Sequence, residues 1–219
     1  MSFQWSAFTG VLPLLLRAAM LNLELAAVIM VLAVAGSTGL TVLRSLKVSP
    51  VNTAVDLVIS FVRGTPLLIQ IFVCFYGLPA IGLNLSPIAA GVLAIAANST
   101  VFLGEAMRAG LGTINPGQIE AATALALRAP VIWLRVVLPQ LFRQILPILT
   151  AELTIIVKGT ALLSVITVVE VLRTAQQVGS ATYRPFEVIL AAGLVFLCIN
   201  LVIGTAGRIA EARLAVGRG

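Results

Sequence analysis

The chain has 219 residues, 60% of them hydrophobic and only 10% charged, with a mean hydropathy of +1.11. Those proportions exclude an ordinary soluble domain and point to a bilayer as the solvent. The net charge of +6 and pI near 10.4 do not indicate nucleic acid as a partner, because the 14 Lys and Arg are spread singly, without a basic stripe or aromatic interleaving.

The opening MSFQWSAFTGVLPLLLRAAM lacks a basic start, and its one arginine, Arg17, follows the apolar run, so it does not read as a cleaved signal peptide. Residues 3–20 read as an interfacial lead-in with Trp5 and Phe8 at headgroup level. A membrane helix needs about 20 mainly apolar residues. Spans are therefore expected at 21–43, 66–83, 86–107, 136–157 and 186–207. Ahead of the second, VNTAVDLVISF either begins that span or lies along the interface. The fourth carries Pro139 and Pro147, tolerable where neighbouring helices satisfy the freed carbonyls. After it, ALLSVITVVEVL is too short to cross alone; within 158–185 it is expected to pack among the other helices or re-enter from one side. Cys74 and Cys198 lie alone in apolar runs, where packing is their expected role. The whole reads as one all-α membrane domain, 1–219, of about five spans, with a loop at 109–135.

Placing Arg44, Lys47, Arg108, Arg128, Arg135, Arg143, Arg208, Arg213 and Arg218 in the cytoplasm satisfies the positive-inside rule and leaves Arg17, Arg173 and Arg184 outside. The N-terminus is then outside, the C-terminus and the 109–135 loop cytoplasmic. That loop has the signals of a helix: Asn115 as N-cap, Pro116 at the first position, Gln118 placed to reach back as in a capping box, and Glu120 in the first turn, where the helix dipole favours a carboxylate. Pro130 is expected to end the run at Ala129. The alanines at 121, 122, 124 and 126 leave a surface that another protein can approach closely. An amphipathic helix resting on the headgroups is the alternative.

The loop resembles the EAA loop of ABC importer permeases, in which Glu-Ala-Ala is followed at fixed spacing by Gly and then by an aliphatic residue and Leu-Pro. Here these positions are Glu120, Ala121, Ala122, Ala126, Val136, Leu138 and Pro139. Ala126 departs from the usual Gly, and a less sharply bent loop is the expected effect. FVRGTPLLIQIFVCFYGLP, GEAMRAGLGTINPGQIEAATAL, LPQLFRQILPILTAELTIIVKGTALLSVITVVEV and YRPFEVIL are similar to permease subunits importing polar amino acids of the histidine, glutamine and arginine group. The resemblance implies a half-transporter in the bacterial inner membrane. It would pair with a second permease, homologous or identical, receive an amino-acid-like substrate from a periplasmic or lipid-anchored solute-binding protein, and work beside membrane lipid. ATP and Mg would sit on a separate ATPase, with no cofactor, metal or catalytic residue on this chain.

Coupling to that ATPase would then fall to Gly117, Glu120, Ala121, Ala122, Ala126, Leu138 and Pro139, and the substrate path to Arg63, Thr65, Gln70, Glu152, Lys158, Thr160 and Ser164. If VNTAVDLVISF spans, Arg63 sits deep, where a guanidinium matches a substrate carboxylate; otherwise it snorkels or pairs with Asp56. Glu152 and Lys158 line the path or pair with each other, and Glu105 pairs with Arg108 three residues on. Ala151, Gly159 and Ala161 stand where the family often has Asn, Asp and Ser. The missing acid removes a counter-ion for a cationic side chain and favours a small or neutral substrate over lysine or arginine. A self-powered transporter or channel would need its own coupling carboxylates, for which Asp56, Glu105 and Glu152 are available, but would leave the capped cytoplasmic helix without a role. With no His, and neither lysine preceded by Gly as in a phosphate loop, a membrane enzyme is disfavoured.

Overall fold

The structure is a computed structural model that describes residues 3–45 and 49–215; Lys47 and Arg218 lie outside the described residues. The chain forms helices throughout these segments, with no strand among the described residues. The first, α1 (Trp5–Ser45), is one 41-residue helix, about 60 Å long. The lead-in expected at 3–20 and the span expected at 21–43 are therefore a single element. The early residues continue the helix because they have a core of their own to fill: Val11, Leu15 and Ala19 are buried against α8 (Val171–Thr182) and the start of α9 (Pro185–Ala215).

Next comes α2 (Ser49–Gly64), amphipathic, with Val55, Ile59 and Val62 seated on Val101 of α4 (Pro87–Gly112). It does not continue straight into the next helix. Between Gly64 and Leu67 the chain bends by 115°, at a Gly-Thr-Pro step where proline disfavours helix in the residue before it. α3 (Leu67–Phe72) then runs through a π-helical turn, Val73–Gly77, and a 3-10 turn, Leu78–Ile81. Gly82 closes this piece at φ 85°, a left-handed conformation that glycine adopts without strain.

The start expected at Val136 for the fourth span also moves. α6 (Ala129–Ile132) opens seven residues earlier and leads through a second π-helical turn, Trp133–Val137, into α7 (Leu138–Thr160). Both π-helical turns come just before a Leu-Pro step, Leu78–Pro79 and Leu138–Pro139. Proline lacks the N–H for the regular ladder and its ring crowds the preceding turn, which the wider turn relieves. Four helices, α1, α4, α6–α7 and α9, are long and apolar enough to cross a membrane, and the bent α2–α3 pair makes a fifth crossing if it counts as one.

The bundle closes around Leu25, Ile29, Ile71, Ile95, Ile156 and Leu163, all buried and drawn from α1, α3, α4, α7 and the 3-10 segment Ala161–Ile166. Leu163, Ser164 and Ile166 of that segment are buried, which places it among the helices. Close helix approach rests on small residues, as expected where apolar burial alone gives helices little reason to associate in lipid. A Cβ at Gly36 would lie 2.6 Å from Thr100 Oγ1, and one at Gly104 2.9 Å from Leu40 Cδ2, so α1 and α4 pack nearly backbone to side chain.

Candidate functional site

At the end of the bundle where α4 and α7 meet, the loop residues form α5 (Pro116–Ala124). Asn115 caps it, its Oδ1 accepting from Gly117 N at 2.9 Å, and Pro116 holds the first turn. Gln118 does not reach back to the cap. Its Oε1 accepts from Gln140 Nε2 at 2.7 Å, tying α5 to the start of α7. Nor does Pro130 end the helix. α5 stops near Ala124, because Ala126 turns into the left-handed region at φ 53° while Leu127 N bonds Ala122 O at 3.2 Å. Pro130 instead lies in the first turn of α6, where a missing N–H costs nothing. Alanine thus makes the bend for which glycine is suited, and the less sharply bent loop expected from Ala126 is not what forms.

Of the coupling candidates, Gly117, Glu120, Ala121 and Ala126 are exposed on α5 and its exit. Ala122 points the other way, buried with Met107 and Ile114 from α4 and its exit and with Ile132, Val137, Leu141 and Ile145 from α6–α7. Leu138 and Pro139 are exposed at the head of α7. α5 therefore offers one face outward and uses the other to grip the ends of two membrane helices.

A charge cluster lies on the α4 side of this end. Arg44 at the end of α1 holds Asp56 of α2 through Nη2 and Glu105 of α4 through Nη1, the latter at 2.6 Å; Arg108 Nη2 completes the cluster on Glu105 Oε2 at 2.7 Å. The pairing of Arg63 with Asp56 is thereby overturned, since Asp56 is taken by Arg44. Arg63 is exposed at the end of α2, beside the bend.

Gln70 holds that bend. Its buried amide donates to Val62 O at 2.9 Å, Thr65 O at 3.1 Å and Thr65 Oγ1 at 3.1 Å, and its Oε1 accepts from Asn98 of α4 at 3.0 Å. The carbonyls left without helical partners at the end of α2 are met in this way. One residue further along α4, Ser99 is buried, as is Glu152 of α7. Lys158 is exposed on another face of α7 and does not pair with Glu152. A Cβ at Gly159 would lie 3.5 Å from Leu67 Cδ2, so an acid in that position would enter apolar packing.

Thr160 lies in a network that joins α1, α7 and α8. Its Oγ1 accepts from Asn22 Nδ2 at 2.7 Å and donates to Val157 O at 2.7 Å. Asn22 Nδ2 also donates to Glu170 Oε2 at 3.1 Å, and Asn22 Oδ1 accepts from Val171 N at 3.1 Å. Glu170 caps α8, accepting from Leu172 N and Arg173 N at 2.9 and 2.8 Å. Burial pushes its carboxyl above the usual range, opposed by the hydrogen bonds from Leu172, Asn22 and Arg173.

Residues 33–216 match the family described as the binding-protein-dependent transport system inner membrane component. The chain belongs to this family. Among its relatives, the arginine transport system permease protein ArtQ of Bacillus subtilis is 33% identical over 98% of each chain. The nopaline transport system permease protein NocM of Agrobacterium fabrum is 35% identical over 91% of this chain and 87% of its own. A crystal structure of an amino acid ABC transporter with histidines contains a chain that superposes with a TM-score of 0.88, at 29% identity, over 97% of this chain and 100% of that one. Chains of the inward-facing MetNI methionine ABC transporter, at 18% identity and a TM-score of 0.73 over 91% of this chain and 95% of that one, share the fold. Permease subunits of this kind are not enzymes themselves, and none of these relatives favours a self-powered transporter.

In this permease the residues assigned to the substrate path do not form one cluster. Thr65 and Gln70 meet at the bend, and Glu152 is buried on α7; Thr160 and Ser164 are buried beside the main core, while Arg63 and Lys158 face outward. Asn22, Asn98 and Glu170 complete these contacts and were not singled out in the sequence. The signal was a polar residue inside an apolar run, Asn22 in LNLELAAV above all.

Proposed function

We propose that this permease carries a polar amino acid, or a related compound, across the bacterial cytoplasmic membrane, with α5 as the seat for a separate ATPase. The observation that carries the reading is the two-faced geometry of α5: Glu120 and Ala121 are exposed and Ala122 is packed between the ends of α4 and α7. ATP and Mg bind the ATPase, so movement there reaches two membrane helices through one short lever. The N-terminus is outside, which puts α5 and the C-terminus in the cytoplasm with most of the arginines. A second permease completes the pathway, and a solute-binding protein delivers substrate to the end carrying Arg173 and Arg184. The named relatives serve arginine and nopaline transport; for this chain, the glycine at 159 favours a small or neutral amino acid.

Co-purification with the ATPase, wild type against Glu120→Arg, tests the seat. The variant is expected to lose the ATPase and substrate-stimulated hydrolysis while remaining folded in the membrane. Retention of both refutes the role of Glu120. Uptake of arginine in preference to glutamine refutes the substrate assignment alone.

A further inference from the structure

Thr150 of α7 abuts Gly207 of α9 so closely that a Cβ on the glycine would overlap it. Toward the α5 end of this crossing the two helices leave a groove of about 530 Å³, walled by Phe142 and Leu146 on one side and by Ala206, Ala210 and Leu214 on the other. Arg213 also lines it. Arg143 follows Phe142 and shares, by i, i+3, i+7 spacing, the stripe of Leu146 and Thr150 that faces α9. Among the described residues neither Arg143 nor Arg213 has a carboxylate within ion-pair distance. Glu211 is the one acid near them on α9, against Arg143, Arg208 and Arg213.

We propose that this groove holds an anionic phospholipid, with an acyl chain along the apolar walls and the phosphate between Arg143 and Arg213. A guanidinium in the lining of an apolar cleft between membrane helices, Arg213, with a second, Arg143, next to the lining residue Phe142, is complementary to an amphiphile with a negative head. A soluble anion would leave the walls uncovered, and a plain apolar helix would leave the arginines unpaired. The inference requires that the chain span a membrane, and it is independent of which substrate is carried.

The test uses the assembled transporter in nanodiscs of phosphatidylglycerol and phosphatidylethanolamine, with co-purifying lipid measured by mass spectrometry after mild delipidation. Wild type is expected to keep phosphatidylglycerol above its share of the bilayer. Arg143→Gln and Arg213→Gln should each lower that preference about fivefold, and the double variant about thirtyfold. Ala210→Trp, which fills the groove and keeps both arginines, should also release the lipid. Wild-type retention matching the bilayer composition, an unchanged preference in the double variant, or efficient cross-linking of Ala210→Cys to a protein partner would each overturn the proposal. Transport is not the readout, so such a failure would leave the importer function standing.

Discussion

Ala126 is the most informative position for the α5 end of the bundle, and Ala126→Gly is the perturbation that isolates it. The residue is exposed at φ 53°, so removing its methyl group takes away almost no packing and acts on the backbone. A non-glycine residue in the left-handed region costs about 1–2 kcal/mol. Glycine returns some of that gain through its greater freedom in the unfolded chain, about 0.5–1 kcal/mol. The net expectation is a local stabilisation of about 1 kcal/mol, which corresponds to roughly fivefold slower opening. Hydrogen exchange is the suitable assay because it reads local opening where global melting does not. The amides of Ala126 and Leu127, bonded to Thr123 O and Ala122 O, should exchange about fivefold more slowly in Ala126→Gly. Ala126→Val, with a branched side chain that fits this conformation worse, should exchange faster than wild type. Equal exchange in all three proteins would refute the strained turn. Faster exchange in the glycine variant would show that the alanine contributes a contact instead.

Two further predictions address the membrane part. Gln70→Leu keeps the side-chain volume but strands Val62 O and Thr65 O, and should lower the unfolding stability of the purified transporter by about 2–4 kcal/mol, whereas Asn98→Ala, which removes only one partner, should cost less; equal losses would place the weight on α4 and not on the bend. Gly207→Ala should destabilise by about 1–3 kcal/mol through overpacking against Thr150, and Thr150→Gly in the same chain should recover part of the loss, a coupling that a double-mutant cycle of thermal or denaturant midpoints measures.

Apolar run length made the later spans readable in the sequence, because a run of about 20 residues has few ways to be satisfied other than crossing a bilayer. The same measure fails for α1. A run tells how much surface must avoid water, not whether lipid, headgroups or α8 and α9 will cover it, and Val11, Leu15 and Ala19 are covered by protein. The start of α5 was legible because Asn115 and Pro116 act within three residues of each other. Its end was not, since Pro130 is equally at home after one helix or at the start of the next. Only the conformation of Ala126, the stricter local constraint, decides between them. Partners separated by long stretches of chain were invisible for another reason: Asn22 meets Thr160 and Glu170 across 138 and 148 residues, and no local rule selects those three polar residues from the others. The supposed Arg63–Asp56 pair shows the converse error, a same-face spacing that lost to Arg44 arriving from another helix.

These contacts also determine how far a force on α5 can travel. Ala122 is set among residues of both α4 and α6–α7, and a close-packed cluster transmits displacement because it has little volume to yield. Gln118 to Gln140 adds a second link to α7. α2 has no place in that cluster; it is held to α1 and α4 by Arg44 with Asp56 and Glu105 and is separated from α3 by the bend at Gly64–Pro66. Movement of α4 therefore reaches α2 through ionic contacts at the exposed end, through the apolar seat of Val55, Ile59 and Val62 on Val101, and through the Gln70–Asn98 bond near the bend. The first of these links is partly open to solvent and salt-screened, the other two buried. Raising ionic strength should loosen the start of α2 while leaving the bend intact, so that accessibility to a thiol reagent increases at Val55→Cys, buried on α2, and stays constant at Ile71→Cys, buried beside Gln70. An equal increase at both positions would mean that α2 and the bend move as one body, and the ionic link would not be separable from the buried ones.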